Sequence, residues 1–195
     1  TRENEGEAAL IEKAEKLISA LNERYPSENG ARFHYLHRSR RFSGADGLYM
    51  GRERKRGAVE DLMAYVSEGR RGDLVCIEPE ISGPFHYLAV LDADTVMPNG
   101  ALARLIGAAA HPLNRPAYKD NTSKKPYAGY NIIVPRMAST SRSAAKSRFA
   151  MLTSGESGMS AYSSEVSEFY FDLFNNGSFG GKGIIDIEGF RRGTE

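Results

Sequence analysis

The chain has 195 residues, 41% apolar and 26% charged, the balance of one soluble globular domain large enough to bury a core. Lys and Arg total 26 against 25 Asp and Glu, a net charge of +1, which excludes a global field that would draw in nucleic acid or an anionic membrane. No apolar run approaches the roughly 20 residues needed to cross a bilayer, and a single cysteine, Cys76, excludes an internal disulfide and suits a reducing compartment.

The polar start Thr1-Arg2-Glu3-Asn4-Glu5, with no Met and no signal core, reads as the edge of a segment excised from a longer protein. Leu10, Ile11, Ala14, Leu17, Ile18 and Leu21 recur at helical spacing, which predicts a helix over 7–24 with one apolar face. Pro26, Asn29 and Gly30 end it. A short strand is expected over 33–36, a polar Gly-containing loop over 43–51, and a helix over 54–65 with Val59, Leu62 and Met63 on one side. The run Leu74-Val75-Cys76-Ile77 predicts a strand with Cys76 buried in it. The stretch 85–91 reads as a strand apolar on both faces, as parallel strands are. Pro98-Asn99-Gly100 leads into a helix over 101–110, and 131–134 is a strand stopped by Pro135.

Further along, 139–148 is Ser-rich and basic, a loop or frayed helix, and 164–174 fits a helix. A Gly-rich turn over 177–183 precedes a last strand over 184–187. Alternating strands and helices predict one α/β domain over 1–195 with a mostly parallel sheet. The irregular stretches 112–129 and 138–158 exceed ordinary connections, and loops of that length are more often binding segments than filler.

Chemistry concentrates at Asp92-Ala93-Asp94, after a strand and before a turn and helix. In open α/β sheets ligands bind outside the carboxyl ends of strands. Two carboxylates one residue apart there can share a divalent cation that also takes diphosphate oxygens. The same spelling, Asp92 to Val96, matches the opening of haloacid-dehalogenase phosphatases, with Asp92 as nucleophile. That reading expects a late acidic pair, and no Asp-Asp pair exists in the chain. A plain Asx-turn with a helix cap near Asn99 is the third reading.

Other motifs divide between function and structure. Glu53-Arg54-Lys55-Arg56-Gly57 opens a helix, where basic side chains and backbone N–H groups can hold phosphate, or it is a solvated charged turn. Gly177-Ser178-Phe179-Gly180-Gly181-Lys182-Gly183 lacks the Ser or Thr of a Walker loop. Its glycines either let backbone approach a sugar or make a tight turn. The four histidines show no metal spacing and read as structural. Tyr162, Phe169, Tyr170, Phe171 and Phe174 read as core rather than as a sugar-stacking platform.

Taken in order, several blocks resemble a known family. They are Phe33-His34-Tyr35-Leu36-His37-Arg38, then Tyr49-Met50-Gly51-Arg52-Glu53-Arg54-Lys55-Arg56-Gly57, Leu91-Asp92-Ala93-Asp94-Thr95, Ala110-His111-Pro112-Leu113-Asn114-Arg115-Pro116, Val134-Pro135-Arg136, and Asp172-Leu173-Phe174 with Gly181-Lys182-Gly183-Ile184. The succession, from about residue 17 to 190, is similar to the glycosyltransferase domain of cyclic β-1,2-glucan synthases, glycosyltransferase family 84, related to family 2. His-Pro-Leu-Asn-Arg-Pro and Gly-Lys-Gly are its most specific blocks.

The resemblance implies a GT-A-like (nucleotide-diphospho-sugar transferase) α/β sandwich, truncated at both ends. It implies UDP-glucose as donor, a glucan acceptor, Mg²⁺ or Mn²⁺, and inverting transfer that builds a β-1,2-glucan. The parent proteins are bacterial inner-membrane enzymes with this domain on the cytoplasmic face. By position Asp92 and Asp94 match the metal and nucleotide motif. Lys55, with Arg54 and Arg56, matches a nucleotide-contacting segment, and Gly180, Gly181, Lys182 and Gly183 match the turn on the sugar and acceptor side. Arg52 stands where relatives usually carry Trp. The general base of the relatives lies beyond the position of Glu195, so this segment is expected to bind donor without transferring glucose. A sheet lacking an edge strand leaves a surface on which a homo-oligomer would form.

Overall fold

The computed structural model describes residues 6–135 and 181–194, and singly 148 and 179. The elements in order are α1 (Glu7–Arg24), β1 (Tyr35–Arg38), β2 (Arg41–Ser43), β3 (Leu48–Met50), α2 (Arg54–Glu68), β4 (Leu74–Glu78), β5 (Tyr87–Val90), α3 (Ala101–Ala110), β6 (Ile132–Ile133), β7 (Gly183–Asp186) and a last helix, here α4 (Ile187–Thr194). The mixed α/β character follows the sequence pattern. The expected segments 139–148 and 164–174, the aromatic row from Tyr162 to Phe174 and most of the Gly-rich turn, including Gly180, lie outside the described residues.

All strand pairings among the described residues are antiparallel: β1 with β4, β2 with β3, and β5-β7-β6 in one sheet. The parallel pairing expected for 85–91 is not among them. Its apolar run is short, and Phe85 and Leu91 at its ends are 42% and 38% exposed, leaving Val90 as its buried residue. A run this short does not encode the direction of its partner.

The predicted loop over 43–51 is instead the turn and second strand of a hairpin. The turn is closed by Gly47 N–H donating to the Ser43 carbonyl at 2.8 Å, with Gly47 at φ +66°. Ser43 Oγ donates to Asp46 Oδ2 at 2.6 Å. Facing residues Phe42 and Tyr49 pair as a T-shaped aromatic couple across the strands, 5.4 Å between centroids.

The helix α2 organises the interior. Its Met63, 1% exposed, joins Val90, Ile185 and Ile187 in one cluster, with Val59, Val66, Leu88, Phe179 and Phe190 around it. Tyr65 joins Leu74 and Ile77 in a second cluster, to which Leu36 and Ile81 are added. Val66 touches both, so α2 couples the β1–β4 pair to the β5-β7-β6 sheet. By contrast α1 buries no residue completely: Ile11, Ala14 and Ile18 are half-buried, while Leu10 and Leu17 stay exposed. It is fastened by polar contacts. Glu7 pairs with His37 and Arg40 at 3.1 and 2.9 Å, and Asn22 Oδ1 accepts from the Arg32 and Phe33 amides. Cys76 is half-buried rather than buried, because β4 turns that face toward α1, where its Sγ donates to Glu15.

The segment after α3 is irregular, as expected, but held. Asn114 Nδ2 donates to the Ala108 carbonyl at 2.8 Å, which also accepts from the His111 N–H at the end of α3. Gly129, at φ +75°, lies so close to Arg115 that a Cβ would meet its carbonyl oxygen at 2.0 Å. The His-Pro-Leu-Asn-Arg-Pro block thus terminates a helix and returns the chain toward β6.

Candidate functional site

The register of the sheet explains the site. Val90, the last residue of β5, pairs with Gly183, the first of β7. Continued past the ladder, that register places 182 and 181 opposite 91 and 92. Residues distant in sequence therefore meet at one sheet end. Lys182 Nζ lies 2.7 Å from Asp92 Oδ2, and Lys55, in the first turn of α2, donates to Asp92 Oδ1. The three side chains are between 29% and 39% exposed, so the cluster is open to solvent.

The turn that follows β5 leaves the Asp92 carboxylate available. Thr95 N–H donates to the Asp92 carbonyl at 3.0 Å, and Asp92 N–H donates to Thr95 Oγ1 at 3.3 Å. An Asx-turn would have used the Asp92 side chain. The helix α3 also takes no side-chain cap from Asn99; its N-cap is Gly100 at φ +76°. Hydrogen bonding to Lys182, then to Lys55, holds the Asp92 carboxyl below the ordinary carboxylate range. Asp94 is exposed and makes no hydrogen bond or ion pair among the described residues.

Of the three basic residues at 54–56, only Lys55 faces this cluster. Arg56 pairs with Glu60 one turn on at 2.8 Å, and Arg54 is exposed, offering its carbonyl to Arg38. Gly181, at φ +76°, lies against the Lys55 stem; a Cβ there would stand 3.5 to 3.6 Å from it. Gly183 serves the sheet, since a Cβ there would come 2.6 Å from the Ile133 carbonyl. Among the described residues no group of three or more His, Cys, Asp or Glu side chains is placed to hold a metal ion. No described helix is long and apolar enough to cross a membrane.

A second set of residues, not marked by any motif, positions Lys55. Arg38 Nε donates to Asp61 Oδ2 at 2.7 Å, and its Nη groups donate to the carbonyls of Arg52 and Arg54 at 3.0 Å each. Those carbonyls belong to the turn into α2, where Glu53 and Arg54 adopt φ of 52° and 47°. Non-glycine residues take that conformation at a cost, so surrounding contacts must hold them. Gly57 completes the fit, because a Cβ there would meet the Arg52 carbonyl oxygen at 2.0 Å. Arg52 reaches Glu60 at 3.1 Å and Asp61 at 3.3 Å. Arg52 thus belongs to the same ion-pair network as Arg38. The signal that could have found it is the density of Arg near 38–41 and 52–56 set against Asp61 and Asp73, although spacing alone does not pair them.

No family model matches the chain. Among curated proteins it is 31% identical over 182 residues to the cyclic β-(1,2)-glucan synthase NdvB of Rhizobium meliloti (strain 1021). The match covers 93% of this chain and 6% of that protein, so the chain spans a small part of the relative's length. Along nearly its whole length, the chain is a relative of a cyclic β-(1,2)-glucan synthase.

Proposed function

We propose that this chain is the donor-binding part of a GT-A-type glycosyltransferase that uses UDP-glucose to extend a β-1,2-glucan with inversion. The single observation that carries the reading is the convergence of Asp92, Lys55 and Lys182 at the end of β5, in a chain related to a glucan synthase. Carboxylate and ammonium groups side by side are what a metal–diphosphate complex needs: one sign for the cation and the other for phosphate oxygens. The relationship to NdvB favours this over the phosphatase reading of the same aspartates.

The described residues fit a divalent cation of the Mg²⁺ or Mn²⁺ type. Asp94 offers an open carboxylate, and Asp92 stands two residues away with ammonium groups that a stronger cation can replace. Two carboxylates suffice for such an ion, which normally completes its shell with water and substrate phosphate. When bound, the ion supplies relief of the negative charge that grows on departing UDP. The chain's own residues do the rest: Lys55 and Lys182 bring positive charge to the diphosphate, and the turn at 92–95 holds the aspartates at the sheet edge. Inversion further requires a base on the acceptor hydroxyl; none of the residues gathered at Asp92 is assigned that role.

The reading predicts selectivity for a uridine diphosphate. Calorimetric titration of the purified protein with UDP, GDP and ADP in Mn²⁺ should give UDP the tightest binding. Equal binding of all three, or none at millimolar nucleotide in a folded sample, would refute it.

A further inference from the structure

Two ammonium groups meet on one carboxylate at the end of β5, although either alone would neutralise it. Lys182 is 2.7 Å from Asp92 Oδ2 and Lys55 holds Oδ1, while Asp94, two residues on, stands exposed without an ion pair among the described residues. The two lysines come from different elements, the first turn of α2 and the residue before β7. The β5–β7 register brings Lys182 to Asp92, and Gly181, at φ +76°, lies beside the Lys55 stem. All three paired side chains are about one-third exposed, so none of these contacts is locked by burial.

We infer that Asp92 is an exchangeable counter-ion: it holds Lys55 and Lys182 in the ligand-free protein and releases both to the diphosphate when a divalent cation takes the carboxylate. This rests on the metal–diphosphate reading above and adds to it how both lysines are held in place until the donor arrives. Charge balance supports the exchange. The two carboxylates of Asp92 and Asp94 match a divalent cation, and the two ammonium groups match the one charge on each phosphate of a nucleotide sugar. Two carboxylates and two ammonium groups sum to zero before exchange, and the sum is unchanged afterwards if metal and diphosphate arrive together. The lysines are then already at the right place when the donor enters, which removes part of the ordering cost of binding.

The test is UDP binding with the metal removed. In EDTA, Asp92→Asn should bind UDP about two- to tenfold more tightly than the unaltered protein, the scale of one or two solvent-exposed ion pairs, because the Asp92 carboxylate no longer competes for either lysine. In the double variant Asp92→Asn/Lys182→Gln that gain should shrink. With Mn²⁺ present, Lys182→Gln should weaken UDP binding several-fold and Lys182→Arg should restore most of it, with unchanged circular dichroism in both. No gain for Asp92→Asn in EDTA, or unchanged UDP affinity in Lys182→Gln, overturns the exchange while leaving metal-dependent UDP binding by the unaltered protein intact. Failure of the unaltered protein to bind UDP with Mn²⁺ overturns the donor-site reading itself, and the exchange with it.

Discussion

Arg38 in β1 and Asp61 in α2 form an ion pair 2.7 Å long whose side chains are 13% and 8% exposed. It ties the first strand pair to the helix that presents Lys55, and the same guanidinium holds the carbonyls of Arg52 and Arg54. A contact remote from Asp92 therefore fixes where one of its partners stands.

Removing Arg38 tests that coupling. Arg38→Met leaves Asp61 buried with only the longer contact to Arg52 at 3.3 Å. Loss of one partner of a buried pair costs about 3–5 kcal/mol. Urea denaturation should show a loss of this size, and UDP affinity should fall with it under conditions where the variant is folded. A loss below about 1 kcal/mol would mean that solvent or Arg52 replaces Arg38 with ease.

Two glycines in helices should respond oppositely to alanine. Gly57→Ala drives a Cβ into the Arg52 carbonyl, 2.0 Å away, and overpacking of this kind costs about 1–3 kcal/mol. Gly107 in α3 has nothing within 4 Å of an added Cβ. There alanine should stabilise by about 0.4–1 kcal/mol, by restricting the unfolded chain. Thermal melts of the two variants distinguish them, and similar shifts of the same sign would contradict the packing described at the α2 turn.

Cys76 should be a sluggish thiol. Burial, then the hydrogen bond to Glu15, pushes its pKa above that of a free cysteine. A raised pKa means less thiolate at a given pH, and the thiolate is the reactive form. Alkylation of the native protein at pH 8 should therefore be slower than that of free cysteine, with its pH profile displaced upward, and should accelerate in denaturant. Native alkylation as fast as free cysteine would show that β4 and α1 do not cover the thiol as described.

Periodicity revealed α1, α2 and α3. The apolar repeat from Leu10 to Leu21 gave α1 its bounds of 7 and 24, and Pro98-Asn99-Gly100 marked the start of α3. Strand partners were not legible, because pairing direction is a property of residues far apart: nothing in 85–91 announces Gly183 opposite Val90. The hairpin at 41–50 was hidden for a different reason, its strands being three residues each with exposed aromatic residues. At the candidate site the spelling Asp92-Ala93-Asp94 and the basic run at 54–56 drew notice separately. That Lys55 alone of its run reaches Asp92, and that Lys182 joins it, follows only from the β5–β7 register and the fold of the turn into α2. The helix α4 was missed because Ile184-Ile185-Asp186-Ile187 reads as strand to its end, whereas Gly189 N–H donates to Asp186 Oδ1 at 2.7 Å and turns the chain into a helix.

Asp94 is an exposed carboxylate two residues after Asp92. Titration of UDP with and without Mn²⁺ should show metal-dependent tightening in the unaltered protein. Asp94→Ala, at an exposed position where folding is undisturbed, should reduce that tightening by more than about tenfold, since loss of even an outer-shell partner typically costs this much. Retention of the full Mn²⁺ effect in Asp94→Ala would contradict a metal–diphosphate site at the end of β5.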